Sequence, residues 1–405
     1  MKTAKEQSYI QRCKSLLYST ERGQLSTNQL IDAITEKAAS AVFSHQEIIF
    51  CGLMDFIGGI ASFLKASGKK VCFIDRSLDE GMFYGCPVVS LDEIEGKSDG
   101  LFIVASRSNV AFYNKVLKFY CKSPAILSFE PLLLLYKEST DNNFRKPYTY
   151  DGVKEMIEDV VINSNKYNLL LDKLADDNSK CLLSRILLFR TSFEMELNEG
   201  VKSGYPDYLD ESVFRLAPDE VIADVGGFTG DTLFDFIGAF EKLQNTTEFQ
   251  YYMFEPVKAN LELAKRYFNA SNITFLPFAV SNILGTGKMD TALVSSIGKI
   301  EIDETKKAER IEVIRLDDYF LSKRVTFIKM DIEGEEINAL RGGQETIKRW
   351  MPKLAICLYH RYTDILDIFE RIDAVGVSYR YYIRAHRNSL VTEYVLYAIP
   401  EGNNL

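Results

Sequence analysis

Four stretches of the chain carry side chains whose type and spacing could do chemistry. In Val221-Ile222-Ala223-Asp224-Val225-Gly226-Gly227-Phe228-Thr229-Gly230-Asp231-Thr232, an apolar run ends in an acid and a glycine-rich turn opens a helix. Glycines let the backbone approach a ligand closely, and a helix N-terminus offers unpaired N–H groups to an anion or carboxylate. A tight strand-to-helix turn with no ligand has the same composition, so this stretch alone decides nothing. The next strand ends in Phe254-Glu255-Pro256, which puts a carboxylate where α/β nucleotide-binding sheets grip a ribose diol. A further strand runs into Lys329-Met330-Asp331-Ile332-Glu333-Gly334-Glu335-Glu336, a lysine followed by a row of acids. Another closes on Leu358-Tyr359-His360-Arg361, an imidazole at a strand's carboxyl end.

Spacing narrows the ligand. Dinucleotides call for G-x-G-x-x-G, whereas Asp-x-Gly-Gly-x-x-Gly better suits a cofactor without a pyrophosphate. Phe278-Ala279-Val280-Ser281 sets a ring and small residues where an adenine would lie. Each feature is as easily structural as functional; together they favour S-adenosylmethionine, with S-adenosylhomocysteine as its product. For the acids Glu333 to Glu336 the competing reading is a solvated helix start that complements the helix dipole. His360 competes with a satisfied core histidine, while His386 and His45 are weaker candidates.

The elements that must position these residues follow from apolar periodicity. Helical spacing covers 1–45, the N-terminal helical lead. Strands at 48–51, 71–74, 101–105 and 125–129 alternate with helices, which predicts a small parallel Rossmann-like α/β domain over 46–136. Residues 137–215 read as a helical connector that begins with a polar linker at 137–146. The α/β alternation resumes over 216–405, with strands at 221–225, 251–254, 273–277, 326–330, 354–359, 379–383 and 394–399. Helices fit 229–243, 257–269, 335–349 and 364–374, and an insertion falls around 283–315.

Composition excludes several classes of function. The 405 residues are 46% apolar and 26% charged, as in ordinary globular domains. Lys and Arg number 48 against 57 Asp and Glu, a net charge of −9, which argues against a nucleic-acid binder. Seven scattered cysteines without a C-x-x-C pair read as reduced core thiols, and only three histidines argue against a histidine-rich metal cluster. No apolar run approaches the ~20 residues that span a bilayer, nor does the start of the chain resemble a signal peptide. The expectation is a cytoplasmic protein with no membrane insertion, acting on a small molecule.

Residues 217–400 resemble the FkbM-type methyltransferases, a group of S-adenosylmethionine-dependent O-methyltransferases. The matching stretches, in order, are DVGGFTGDT, FEP, AVSN, KMDIEGEE, ALRGG, PKLAICLYH and YYIRAH. The resemblance implies a Rossmann-like seven-stranded methyltransferase sheet with its last strand antiparallel. It implies that Asp224, Gly226, Gly227 and Gly230 line the methionine end of the cofactor and that Asp231 and Thr232 begin the helix beside it. Glu255, with Pro256, would take the ribose hydroxyls, and Phe278 with Ala279 would flank the adenine. Lys329, Asp331, Glu333 and His360 would ring the mouth where the methyl group emerges. His360, whose imidazole ordinarily titrates near 6.5, is the expected proton acceptor, with Asp331 orienting it or holding the acceptor; geometry could reverse the two. No metal is assigned, and a cation bridging Asp331 and Glu333 is the alternative.

The implied acceptor is a hydroxyl of a sugar or polysaccharide precursor. A lipid or small-metabolite hydroxyl, or a non-catalytic nucleotide-binding or assembly protein, are the alternatives. The 46–136 stretch resembles the half-Rossmann domains that precede catalytic domains in some sugar-modifying proteins. Its turn, Gly52-Leu53-Met54, departs from the dinucleotide pattern, which leaves a scaffold or homodimer role open and argues against a dehydrogenase. The segment Gly204-Tyr205-Pro206-Asp207-Tyr208 could lid the pocket or simply pack.

Overall fold

Apolar runs of four or five residues fold as parallel strands twice over, in two separate sheets. The computed structural model describes residues 3–95, 100–106, 109–139, 148–243, 248–289 and 309–402. The chain divides into one unit of Met1–Asp172, Lys180–Lys202 and Arg387–Thr392, and another of Lys173–Ser179, Ser203–His386 and Glu393–Leu405.

The first unit opens with helices α1 (Ala4–Glu21) and α2 (Thr27–Ser44). Each starts at a capping box, Thr3 with Glu6 and Ser26 with Gln29, which satisfies two otherwise orphaned N–H groups. There follow β1 (Glu47–Cys51), α3 (Gly58–Ala66), β2 (Lys70–Ile74), β3 (Gly81–Phe83), β4 (Cys86–Val88), β5 (Gly100–Val104), α4 (Val110–Tyr120) and β6 (Ala125–Ser128). Their order in the sheet is β3-β4-β2-β1-β5-β6. The β3–β4 hairpin is absent from the sequence reading. It turns on Tyr84 and Gly85, both at positive φ, a two-residue primed turn made without the Asn-Gly or Asp-Gly that usually announces one. Helices α5 (Glu130–Leu135), α6 (Tyr150–Ile162), α7 (Ser164–Lys173) and α8 (Asp177–Ser192) complete the run. In the stretch read as a connector, α6 packs on α1 and α2 within this unit; residues 140–146 of the polar linker lie outside those described. All seven cysteines are buried and free.

The second unit runs β7 (Val221–Val225), α9 (Asp231–Lys242), β8 (Gln250–Phe254), α10 (Lys258–Tyr267), β9 (Ile273–Leu276), β10 (Phe278–Val280), β11 (Gly285–Met289) and β12 (Glu309–Ile314). It continues with α11 (Leu316–Phe320), β13 (Phe327–Met330), α12 (Glu336–Gly342), α13 (Gln344–Trp350), β14 (Lys353–Cys357), α14 (Asp364–Asp373), β15 (Tyr379–Ala385) and β16 (Tyr394–Pro400). Seven strands form one sheet in the order β15-β16-β14-β13-β7-β8-β9, and the last, β16, is antiparallel to both its neighbours. The expected α/β class and seven-stranded sheet are therefore present. Helix α9 explains its packing: Leu233, Phe236 and Phe240 recur at helical spacing, are fully buried, and meet Tyr251, Phe249 and Phe327 of the core.

Two local expectations change. The third strand stops at Leu276, and Phe278 and Ala279 instead begin β10, which pairs with β12 in a separate three-stranded sheet, order β10-β12-β11. Part of the insertion read at 283–315 builds that sheet, and residues 290–308 lie outside those described. The helix expected over 335–349 is two helices, broken at Gly342-Gly343. A Cβ on Gly342 would stand 2.1 Å from the Ser281 carbonyl oxygen, so only glycine lets α12 rest on the chain after β10.

Candidate active site

The glycine turn after β7 is tied down on both sides. Gly226 and Gly227 donate their N–H groups to the Phe254 carbonyl at 3.0 and 3.1 Å, and Phe228 N–H donates to Glu255 Oε2 at 3.0 Å. Gly226 sits at φ +85°, and a Cβ there would stand 1.9 Å from the Asp331 carbonyl oxygen. These amides are already engaged within the protein, so they form no pyrophosphate cradle. Glu255 accepts a second backbone bond from Val257 N–H at 2.8 Å, which fixes its carboxylate at the tip of β8.

Burial pushes the Glu255 carboxyl up to about 7 in spite of those bonds. An acid with a raised folded pKa stabilises the fold fully below its unfolded value and loses that contribution as pH rises through its folded one. The window runs from the ordinary carboxyl value of 4.5 to about 7, equivalent to about 3 kcal/mol. Glu255→Gln cannot titrate. Its stability relative to wild type should rise by about that amount between pH 4.5 and pH 8 in urea titrations. A difference independent of pH would show that Glu255 ionises as freely in the fold as out of it.

One register deeper, Asp224 of β7 lies directly opposite Lys329 of β13. Both are enclosed, and Lys329 Nζ lies 2.9 Å from Asp224 Oδ1. Tyr251 donates its hydroxyl to the other Asp224 oxygen at 2.8 Å. Lys329 Nζ also donates to the Gly226 carbonyl and lies over the Tyr208 ring, 5.2 Å from its centroid. Burial alone would lower the lysine pKa; Asp224 and Asp331 outweigh it and hold the ammonium charged. Lys329, expected at the rim of the mouth, is instead a buried strut beneath the glycine turn.

The carboxyl ends of β13 and β14 bring together the remaining groups. Asp331 Oδ2 accepts from Tyr208 Oη at 2.7 Å and from Tyr359 Oη at 3.2 Å. His360 Nε2 faces Asp331 Oδ1 at 3.2 Å and Glu333 Oε2 at 3.7 Å, while its Nδ1 faces Glu336 Oε1 at 3.0 Å. Asp331 and Glu333 remain 24% and 29% exposed, whereas Glu336 is only 1% exposed, so the cluster opens on the Nε2 side and closes on the other. Glu333 holds φ +56°, a left-handed backbone that aims its side chain from the turn.

Burial would lower the His360 pKa, but Asp331 and Glu336 reverse it and raise it well above its usual value. Burial likewise would raise Asp331; His360, Lys329 and the Tyr208 hydroxyl overcome it and hold the carboxyl well below the usual carboxylate range. The two carboxylates favour the charged form of the imidazole, which works against the expected role of His360 as proton acceptor.

Several sequence readings shift here. Glu336 is fully buried and accepts from Ile332 N–H at 2.8 Å, so it does not decorate a solvated helix start. Tyr208 is enclosed against Asp331 and Cys357 and is no lid. Ala279 is taken up in a small apolar cluster with Ile311 and Val313, and Phe278 is half-buried. Asp231 and Thr232 do open α9, with Gly230 left-handed at its N-cap. Pro256 is half-buried beside Glu255. His386 is a core residue on Tyr397 Oη at 2.7 Å, and His45 faces the Ala41 carbonyl. The carboxylate contacts of Tyr208, Tyr251 and Tyr359 have no signal in the sequence, for a hydroxyl that bonds a carboxylate many positions away leaves no local spacing.

A parallel sheet whose final strand runs antiparallel, with a glycine turn after one central strand and a carboxylate at the tip of its neighbour, defines a Rossmann-like methyltransferase domain. Residues 224–381 match the family described as Methyltransferase FkbM domain. The crystal structure of methyltransferase FkbM from Methylobacillus flagellatus KT superposes with a TM-score of 0.65 at 22% identity, covering 92% of this chain and 99% of that one. That likeness shows a shared fold. The DszA carbon methyltransferase is more distant, with a TM-score of 0.27 and 11% identity over 62% of this chain and 66% of that one. No curated protein matches the chain in sequence. Among the described residues no helix is long and apolar enough to cross a membrane.

Proposed function

We propose that this enzyme is an S-adenosylmethionine-dependent O-methyltransferase whose acceptor is a hydroxyl of a sugar or polysaccharide precursor. The observation that carries the cofactor is the pairing of Glu255 with the glycine turn: a fixed carboxylate acceptor beside amides that are already engaged. That donor set suits the diol of a nucleoside without phosphates. Glu255 would hold the ribose and the Asp224–Gly230 turn the methionine end. When bound, the cofactor supplies a methyl on sulfonium that the acceptor oxygen displaces directly, the carbon–sulfur bond breaking as the carbon–oxygen bond forms.

The chain's own residues align that displacement. Lys329 and Asp224 fix the turn from below, and Tyr208 and Tyr359 fix Asp331. Asp331 accepts the hydrogen bond of the acceptor hydroxyl and orients its lone pair. As the oxygen gains positive charge its proton becomes strongly acidic, so a carboxylate of low pKa can take it late in the step. Positioning of this kind supplies much of the acceleration in a two-substrate transfer.

Glu255→Ala should weaken S-adenosylhomocysteine by roughly ten- to a hundredfold in calorimetry, as expected for charge-assisted bonds of about 1.5–3 kcal/mol. S-adenosylhomocysteine should also raise the wild-type melting temperature while NAD does not. Unchanged affinity in the alanine variant would remove Glu255 from the cofactor site.

A further inference from the structure

We propose that the cluster at the ends of β13 and β14 is a divalent-cation site, with His360 Nε2, Asp331 Oδ1 and Glu333 Oε2 as ligands. Three donors of the right chemistry converge there. Ligand atoms of Asp331, Glu336 and His360 lie within 4.8 Å of one another; Glu333 is outside that trio and joins the cluster through Oε2, 3.7 Å from His360 Nε2. The two gaps on the open side are 3.2 Å from Nε2 to Asp331 Oδ1 and 3.7 Å to Glu333 Oε2. A cation with bonds of about 2.0–2.2 Å fits between atoms so placed after small side-chain rotations.

A second observation is independent of the acids. The His360 side chain is only 7% exposed, and neither ring nitrogen makes a hydrogen bond, although carboxylate oxygens stand close to both. A carboxylate oxygen stands beside each ring nitrogen, an arrangement with one open and one enclosed side. It is a familiar one for a ligating imidazole: one nitrogen toward the metal, the other held by a carboxylate. Glu336, anchored by Ile332 N–H, is placed to be that orienting carboxylate.

The donor set of one imidazole and two carboxylates suits a cation of the Mg²⁺ or Mn²⁺ type better than a thiolate-seeking one. Three protein ligands leave positions for oxygen ligands on the exposed side. Building on the methyltransferase reading, those positions would take the acceptor hydroxyl, or two neighbouring hydroxyls of a sugar, and lower the pKa of the oxygen to be methylated.

The test uses the full chain after chelator treatment and dialysis, with Mn²⁺ followed by electron paramagnetic resonance. One Mn²⁺ per chain is expected, weakened about 10- to 100-fold in Glu336→Gln through loss of the orienting contact and lost in Asp331→Asn. Glu333→Gln, on a partly exposed turn, should weaken binding too, and serves if Asp331→Asn fails to fold by circular dichroism. Absence of a stoichiometric Mn²⁺, or equal binding in folded Asp331→Asn and Glu333→Gln, overturns the proposal. S-adenosylhomocysteine calorimetry in the presence of chelator separates the two readings. Cofactor binding without Mn²⁺ binding sinks only the cation site; Mn²⁺ binding without cofactor binding sinks only the methyltransferase reading.

Discussion

Asp331→Asn should lower methyl transfer by about 10²–10⁴-fold while leaving S-adenosylhomocysteine affinity within about threefold. The carboxylate is held by Tyr208 Oη at 2.7 Å and Tyr359 Oη at 3.2 Å, and it keeps a quarter of its side-chain surface exposed. It is thus both fixed and reachable, as an acceptor-binding group must be. Asparagine preserves the shape and can still accept from the tyrosines, so the fold should survive. What it loses is the negative charge that attracts the hydroxyl proton. The readout is single-turnover transfer of labelled methyl, with affinity measured alongside. Wild-type turnover in Asp331→Asn would put the proton elsewhere and leave Asp331 a structural acceptor for two tyrosines.

Legibility in the sequence followed locality. The seven main strands of the second unit were readable because each is a short apolar run bounded by polar or glycine residues, and the turn after β7 was readable because glycine spacing is local. The β3–β4 hairpin escaped because Tyr84-Gly85 does by backbone conformation what Asn-Gly announces by composition. Phe278 moved off the tip of the third strand because parallel pairing with Glu312 competes for it, and that partner lies on the far side of the insertion. At the site, residue types were correct and their surroundings were not. Nothing near Glu336 in the chain says that His360 will cover it, so a helix-start acid became an enclosed partner of the imidazole. The surroundings of His360 escaped for the same reason: Asp331 and Glu336, which favour its charged form, come beside it only through the adjacency of β13 and β14.

Lys329 is where that difference has the largest energetic consequence. Were it a rim residue, Lys329→Met would slow the reaction and barely touch stability. The structure places it at 2% exposure, paired with Asp224 at 0% and bonded to the Gly226 carbonyl. Removing one partner of a buried ion pair leaves an uncompensated charge and costs about 3–5 kcal/mol. For a unit of this size that corresponds to a fall in melting temperature of about 6–20 °C. Neutralising both partners should recover much of it, because Asp224→Asn removes the stranded charge and can still accept from Tyr251 Oη. Lys329→Met with Asp224→Asn should therefore melt above Lys329→Met alone, a coupling of about 0.5–3 kcal/mol between neighbouring sites. Cofactor affinity should fall in Lys329→Met because the Gly226 carbonyl loses its tether and the turn its anchor to β13. Thermal denaturation of the two single variants and the double variant decides the matter. A Lys329→Met protein that melts with wild type and loses only turnover would return this lysine to the mouth of the site.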